Sequence, residues 1–197
     1  MIDTNILLAW GATFKKYCQG DIIFEEGASC NFYFQLIEGR VKWVNFNSEG
    51  KEFIQTIIEP NESFGELPLF DEGPYAACAI ADEDCLIMRL KKETFTQLIC
   101  ENSDINLSFT KLLAKRQRYE FLLLKTIAFE NPEKRISTLL THFKNKQVNT
   151  NRQLYQVNLT RQQIANMTGL RVETVIREIR NLNLKGRLQI IHGKVFV

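Results

Sequence analysis

Thr160-Arg161-Gln162-Gln163, with Thr168-Gly169-Leu170 closely behind it, restricts this stretch to two short helices joined by a tight turn. The Thr160 hydroxyl can accept from the amide of Gln163 while the Gln163 side chain returns to the amide of Thr160, a reciprocal cap that starts a helix. That helix, Arg161–Met167, is short, with Ile164 and Ala165 available to pack. Gly169 suits the positive φ that a sharp break requires. A second helix is expected over Arg171–Leu184, with Val175, Ile179 and Leu182 as its inner face. Two such helices make a helix-turn-helix. Beyond Gly186, Leu188–Ile191 and Lys194–Val197 flank His192-Gly193 as the strands of a two-residue hairpin, a wing.

The second helix presents Arg171, Glu173, Thr174 and Arg177 near its N-terminal end, away from the inner face. Recognition helices enter the DNA major groove by that end. Arginine can donate in bidentate fashion to guanine O6 and N7, and glutamate can accept from cytosine N4. The plain alternative is a surface helix carrying a Glu173–Arg177 ion pair one turn apart. Charge distribution argues for the first reading. Residues 1–129 hold 13 basic against 19 acidic side chains, a net of −6, whereas residues 130–197 hold 12 against 4, a net of +8. A basic third beside an acidic body fits a chain that meets a polyanion at one end.

The rest of the chain divides into two patterns. Ile22–Glu25, Phe32–Ile37, Val41–Phe46, Phe53–Ile58 and Cys85–Leu90 read as short strands, punctuated by Gly20, Gly27, Gly39 and Gly50. That rhythm describes a small antiparallel barrel or roll. Lys92–Cys100 follows as a short helix, then a long one from Ser103 to about Phe129, stopped by Asn131-Pro132. In the long helix Ile105, Phe109, Leu112, Arg116, Tyr119 and Leu123 recur at 4, 3, 4, 3 and 4 residues, a seven-residue repeat with one polar break. Two uses are open for this stripe: packing on its own barrel, or a seam with a second copy. Leu113, Leu122, Leu124 and Ile127 add apolar surface outside it, which favours the seam. Pro132–Asn145 is an amphipathic helix with Ile136, Leu139, Leu140 and Phe143 on one face. Lys144–Gln153 reads as a polar loop and Leu154–Asn158 as a strand. The fold expected is α+β: a β-roll over 1–102, a dimerisation helix over 103–130 and a winged helix-turn-helix over 131–197.

Composition closes off other classes. The N-terminus has no signal-peptide pattern and no stretch approaches the length of a membrane span, so a cytoplasmic protein is expected. Cys18, Cys30, Cys78, Cys85 and Cys100 include no close pair, which argues against a zinc or iron–sulfur site. They read as free thiols in a reducing compartment, with a redox-sensing thiol left open. A barrel metalloenzyme would need histidines in the barrel, but His142 and His192 both lie in the C-terminal third. No enzyme motif and no metal site stand out. A signalling module whose C-terminal part contacts protein rather than DNA is the remaining competitor.

Leu159–Val197 resembles the DNA-binding domain of the Crp/Fnr transcription regulators. GDIIFEEG at Gly20–Gly27, the turn at Glu38-Gly39-Arg40-Val41 and FGELPLF at Phe64–Phe70 resemble that family's cyclic-nucleotide-binding β-roll, so the similarity spans about residues 14 to 197. The resemblance implies a homodimer on double-stranded DNA, with RNA polymerase as a further partner. Glu173 and Arg177 match the family's base-reading pair for a TGA-type half-site, with Arg171, Val172 and Thr174 beside them. Val172 matches the Fnr branch, whereas Ile176 departs from the serine found there. Thr160, Arg161 and Gln162 match the phosphate-contacting helix start, and Lys185 and Lys194 are candidate phosphate contacts beside the wing. In the roll, Phe64, Gly65, Glu66 and Leu67 match the effector pocket. There the cyclic-AMP-binding branch holds the phosphate with an Arg-Ser pair, and this chain reads Ala76-Ala77. A charge-assisted bond to phosphate is worth roughly 1.5–3 kcal/mol, so its loss should cost at least about tenfold in affinity. Glu120-Phe121 stands where that branch offers Thr-Ser to the adenine, and Glu120 would repel an anionic ligand. Cyclic AMP is therefore not the expected effector, and the effector stays unidentified.

Overall fold

The structure, a computed structural model, describes residues 1–146 and 154–197. Residues 147–153, most of the expected polar loop, lie outside the described residues. The chain forms two compact units, Met1–Arg116 and Gln117–Val197, and the boundary falls inside one helix.

The first unit is the roll. After helix α1 (Thr4–Ala9), strands β1 (Thr13–Tyr17), β2 (Ile22–Phe24), β3 (Phe32–Glu38), β4 (Val41–Phe46), β5 (Glu52–Ile58) and β6 (Ser63–Phe64) lead to a one-turn helix α2 (Leu67–Asp71). Strands β7 (Cys78–Ala81) and β8 (Cys85–Lys91) complete two four-stranded antiparallel sheets, ordered β1-β8-β3-β6 and β2-β7-β4-β5. The β3–β4 turn is held by Gly39 at φ +86°, where any Cβ would collide with the Asp84 carbonyl. Only glycine tolerates both conditions. Strands β1, β6 and β7 are not among the expected ones. Strand β1 exposes four of its five residues, Lys15 and Lys16 included, and exists because β8 pairs with it along its whole length.

Helices α3 (Lys92–Glu101) and α4 (Ser103–Phe129) follow. An aromatic cluster joins them to the roll. Tyr33 stacks on Phe95 with centroids 4.7 Å apart, and Phe109 meets Phe95 edge-on at 5.3 Å. Such pairs add about 0.5–1.5 kcal/mol each beyond the area they bury. Phe109 is 3% exposed, and Ile105 and Leu112 pack against the same core.

The first of the two uses open to the stripe is seen at those positions. Ile105, Phe109, Leu112 and Arg116 are engaged with the roll of their own chain, Ile105 and Leu112 only partly buried there. Tyr119, one heptad position further, stacks on His142 at 3.5 Å. A neighbouring stripe of α4 is exposed. Leu107, Phe121 and Leu124 are 52%, 63% and 64% exposed, and Thr110, Ala114, Gln117 and Ala128 are exposed between them.

The second unit carries α5 (Pro132–Lys146), β9 (Gln156–Val157), α6 (Arg161–Thr168), α7 (Val172–Leu184) and the hairpin β10 (Gln189–Ile191) with β11 (Lys194–Phe196). Ile136, Leu139, Leu140 and Phe143 of α5 bury against Ile164 and Ala165 of α6 and Val175, Ile179 and Leu182 of α7. The hairpin turns at His192 (φ +48°) and Gly193 (φ +76°), both left-handed as a two-residue turn demands. Strand β9 adds to the wing beyond β11, with Val157 opposite Val195. Among the described residues no helix is long and apolar enough to cross a membrane, and no cluster of three potential metal ligands occurs.

Candidate nucleic-acid interface

The reciprocal cap forms as its sequence implies. Gln163 N donates to Thr160 Oγ1 at 3.0 Å, and Thr160 N donates to Gln163 Oε1 at 2.9 Å. Gly169 ends α6 at φ +66°. Arg171 then occupies the N-cap of α7 with extended backbone and no side-chain cap bond. The first amides of α7 therefore have no side-chain acceptor from the cap, and an uncapped helix start is suited to an anion such as a phosphate. Along α7, Val175, Ile179 and Leu182 are buried while Arg171, Glu173, Arg177 and Arg180 are exposed. Val172 and Thr174 are half-buried.

Arg177 and Glu173 line one shallow depression together with Ile176, Arg180, Asn181 and Leu184. Arg177 does not turn to Glu173 as an ordinary surface pair would. Its Nε donates to Glu178 at 3.0 Å, and its side chain remains 66% exposed.

The candidate phosphate contacts fall into two groups. Thr160, Gln162 and Lys194 are exposed, with Gln162 bonded to Asn166 at 2.8 Å. Arg161 is half-buried and reaches the wing, Nη2 donating to the Gly193 carbonyl at 3.3 Å. Desolvation lowers its pKa from the usual arginine value. Lys185 is occupied by Glu133 of α5, Nζ to Oε2 at 2.5 Å, with Arg187 3.6 Å from the other oxygen. The Lys185 hydrogen bond holds the Glu133 carboxyl below the usual carboxylate range. Lys185 thus ties α7 to α5 in the free protein, a role its sequence position did not suggest.

In the roll, the effector-pocket residues are arranged around a buried carboxylate. Gly65 takes φ +69° and Glu66, only 1% exposed, follows it. Glu66 does not cap its own helix. Its Oε2 accepts from Arg116 Nη1 at 2.5 Å, its Oε1 accepts from the Ser63 hydroxyl, and Arg116 Nη2 donates to the Ser63 carbonyl at 2.6 Å. Arg116 is the one polar break in the seven-residue repeat of α4. A charged residue inside an otherwise apolar repeat was the signal that it answers a buried opposite charge.

Aromatic rings fill the space beside this turn. Phe24 stacks on Tyr75 at 3.7 Å, and a Cβ on Gly65 would stand 2.7 Å from the Phe24 ring. Tyr75 donates to Cys30 Sγ at 3.1 Å, and burial pushes the Tyr75 hydroxyl well above its usual pKa. Phe64 and Ala77 are buried, Leu67 and Ala76 exposed, and the Ala76 carbonyl accepts from Asn45. Glu120 lies in the second unit, exposed on α4.

Two family models match: a cyclic nucleotide-binding domain over residues 14–102 and a Crp-like helix-turn-helix domain over residues 134–197. The cAMP-activated global transcriptional regulator CRP of Pasteurella multocida is 32% identical, covering 92% of this chain and 88% of its own length. The chain belongs to the Crp/Fnr family. It is a DNA-binding transcription regulator of that type. The Haemophilus influenzae regulator of the same description is 30% identical over 92% of this chain and 82% of its own length. FixK2 from Bradyrhizobium japonicum shares the fold at a TM-score of 0.80, with 19% identity over 94% of this chain and 92% of that one.

Proposed function

We propose that this Crp/Fnr protein binds a TGA-type inverted repeat as a cytoplasmic homodimer, reading bases with Glu173 and Arg177 and contacting phosphate with Thr160, Gln162 and Lys194. The observation that carries the reading is the N-terminal half of α7, where Arg171, Glu173 and Arg177 are exposed on the side away from the buried face. The division of labour is a roll over 1–102, a dimerisation helix over 103–130 and a DNA-binding domain over 131–197. RNA polymerase is the further protein partner. Fluorescence anisotropy at about 0.1 M salt tests it, because phosphate contacts alone bind all sequences and weaken steeply with salt. Equal affinity for TGA inverted repeats and scrambled duplexes would remove the proposal.

The seam is the exposed stripe of α4. Leu107, Thr110, Ala114, Gln117, Phe121, Leu124 and Ala128 follow at 3, 4, 3, 4, 3 and 4 residues, the spacing of a two-helix coiled coil. A dimer places two α7 helices about 34 Å apart, one DNA turn. Replacing Phe121 and Leu124 by glutamate is expected to give a folded monomer by light scattering at micromolar concentration. It should also abolish the advantage of a full inverted repeat over a half-site. A double variant that remains dimeric would place the seam elsewhere.

On this reading the roll takes an effector other than cyclic AMP, as yet unidentified. Ala76-Ala77 offers no charge and no side-chain hydrogen bond to a phosphate, and Glu66 is already bonded to Arg116 and Ser63.

A further inference from the structure

Glu178 follows Arg177 on α7, and consecutive residues of a helix do not face each other. Arg177 nevertheless folds back so that its Nε donates to Glu178 Oε1 at 3.0 Å. Glu178 is itself held. Asn181 Nδ2 donates to its other oxygen at 3.3 Å, and the Glu178 side chain is 14% exposed against 66% for Arg177. The anchored partner is therefore the carboxylate, and the exposed partner is the guanidinium. Of the five N–H donors of a guanidinium, this bond uses the one on Nε and leaves the four on the terminal nitrogens. A pair of those can reach guanine O6 and N7 together.

We propose that Glu178 is a positioning residue for base readout: it grips Arg177 by Nε so that the terminal fork is aimed outward before DNA arrives. The inference rests on Arg177 reading a base. The physical gain is preorganisation, since a long arginine side chain loses rotamer freedom when it docks, and less is lost if its root is already fixed. The same bond draws Arg177 away from Glu173 one turn back, which keeps the two proposed reading groups from neutralising each other. A bare carboxylate on this helix would repel phosphate, and Arg177 offsets that charge.

Glu178→Met keeps size and helix propensity but removes the acceptor. Its affinities for an operator duplex, for the same duplex with the guanine pair replaced, and for random DNA are compared with wild type and with Arg177→Ala. Expected is a loss of about fivefold or more in discrimination at that pair, because a well-placed bidentate contact is worth that much. Affinity for random DNA should rise, since a negative charge has gone. Glu178→Gln, which retains an acceptor, should keep most of the discrimination. In the Arg177→Ala background, Glu178→Met should change discrimination no further. Unchanged discrimination with both affinities raised equally would reduce Glu178 to a repulsive charge and overturn the proposal. So would an undiminished Glu178→Met effect in the Arg177→Ala background. If Glu178→Met lowers the melting temperature, Glu178→Ala is read by the same criteria. Full discrimination in Arg177→Ala alone would instead show that Arg177 reads no base, a failure separable from that of Glu178.

Discussion

Arg116→Met is expected to destabilise the roll by about 3 kcal/mol, at the lower end of the range for stripping one partner from a buried ion pair because Arg116 keeps some solvent contact. The variant leaves the Glu66 carboxylate at 1% exposure with only the Ser63 hydroxyl as partner. It also orphans the Ser63 carbonyl that Arg116 Nη2 supports. Both tryptophans, Trp10 and Trp43, lie in the first unit, so their emission during urea unfolding reports on this unit alone. Removing both charges with Glu66→Gln and Arg116→Met should recover much of the loss, since a buried pair is weakly stabilising against neutral side chains of similar size. A loss below about 1 kcal/mol in the single variant would mean that water replaces the guanidinium and that Glu66 is not committed to it.

Arg177→Ala is expected to lower sequence discrimination by roughly 1–3 kcal/mol at one base pair of each half-site. Its side chain is 66% exposed and its partner Glu178 lies on the same helix, so folding stability should move little. The measurement is competition binding between the operator and single-base variants at fixed salt. If specific and random DNA lose affinity equally, Arg177 is a phosphate contact and the reading of α7 has to be redrawn around Arg171 and Arg180.

The second unit was the more legible in sequence, and the reason is locality. The Thr160–Gln163 cap, the Gly169 break and the His192-Gly193 turn are each decided by residues within a few positions of one another, and each forms as expected. The periodicity of α4 was legible as well, but periodicity says that a face is covered without saying by what. Ile105, Phe109 and Leu112 carry the strong apolar signal because the roll covers them. The adjacent stripe contains Thr110, Ala114 and Gln117, which give almost no hydrophobic signal. Arg116 and Glu66 are 50 residues apart, and nothing local to either position names the other. Strand β1 was hidden for the same reason, being a lysine-bearing segment made into a strand by β8.

The rings stacked beside Gly65 bear on how a roll like this one could change its specificity over evolutionary time. A side chain at position 65 would have to displace Phe24, which is 8% exposed and stacked between Tyr75 and Phe64. Truncating a buried phenylalanine to open the space costs about 3–5 kcal/mol, a large share of a domain's total stability. A lineage can drift into a filled interior one tolerated substitution at a time, but the way back passes through a weakened intermediate, and that asymmetry makes the loss of a ligand close to irreversible.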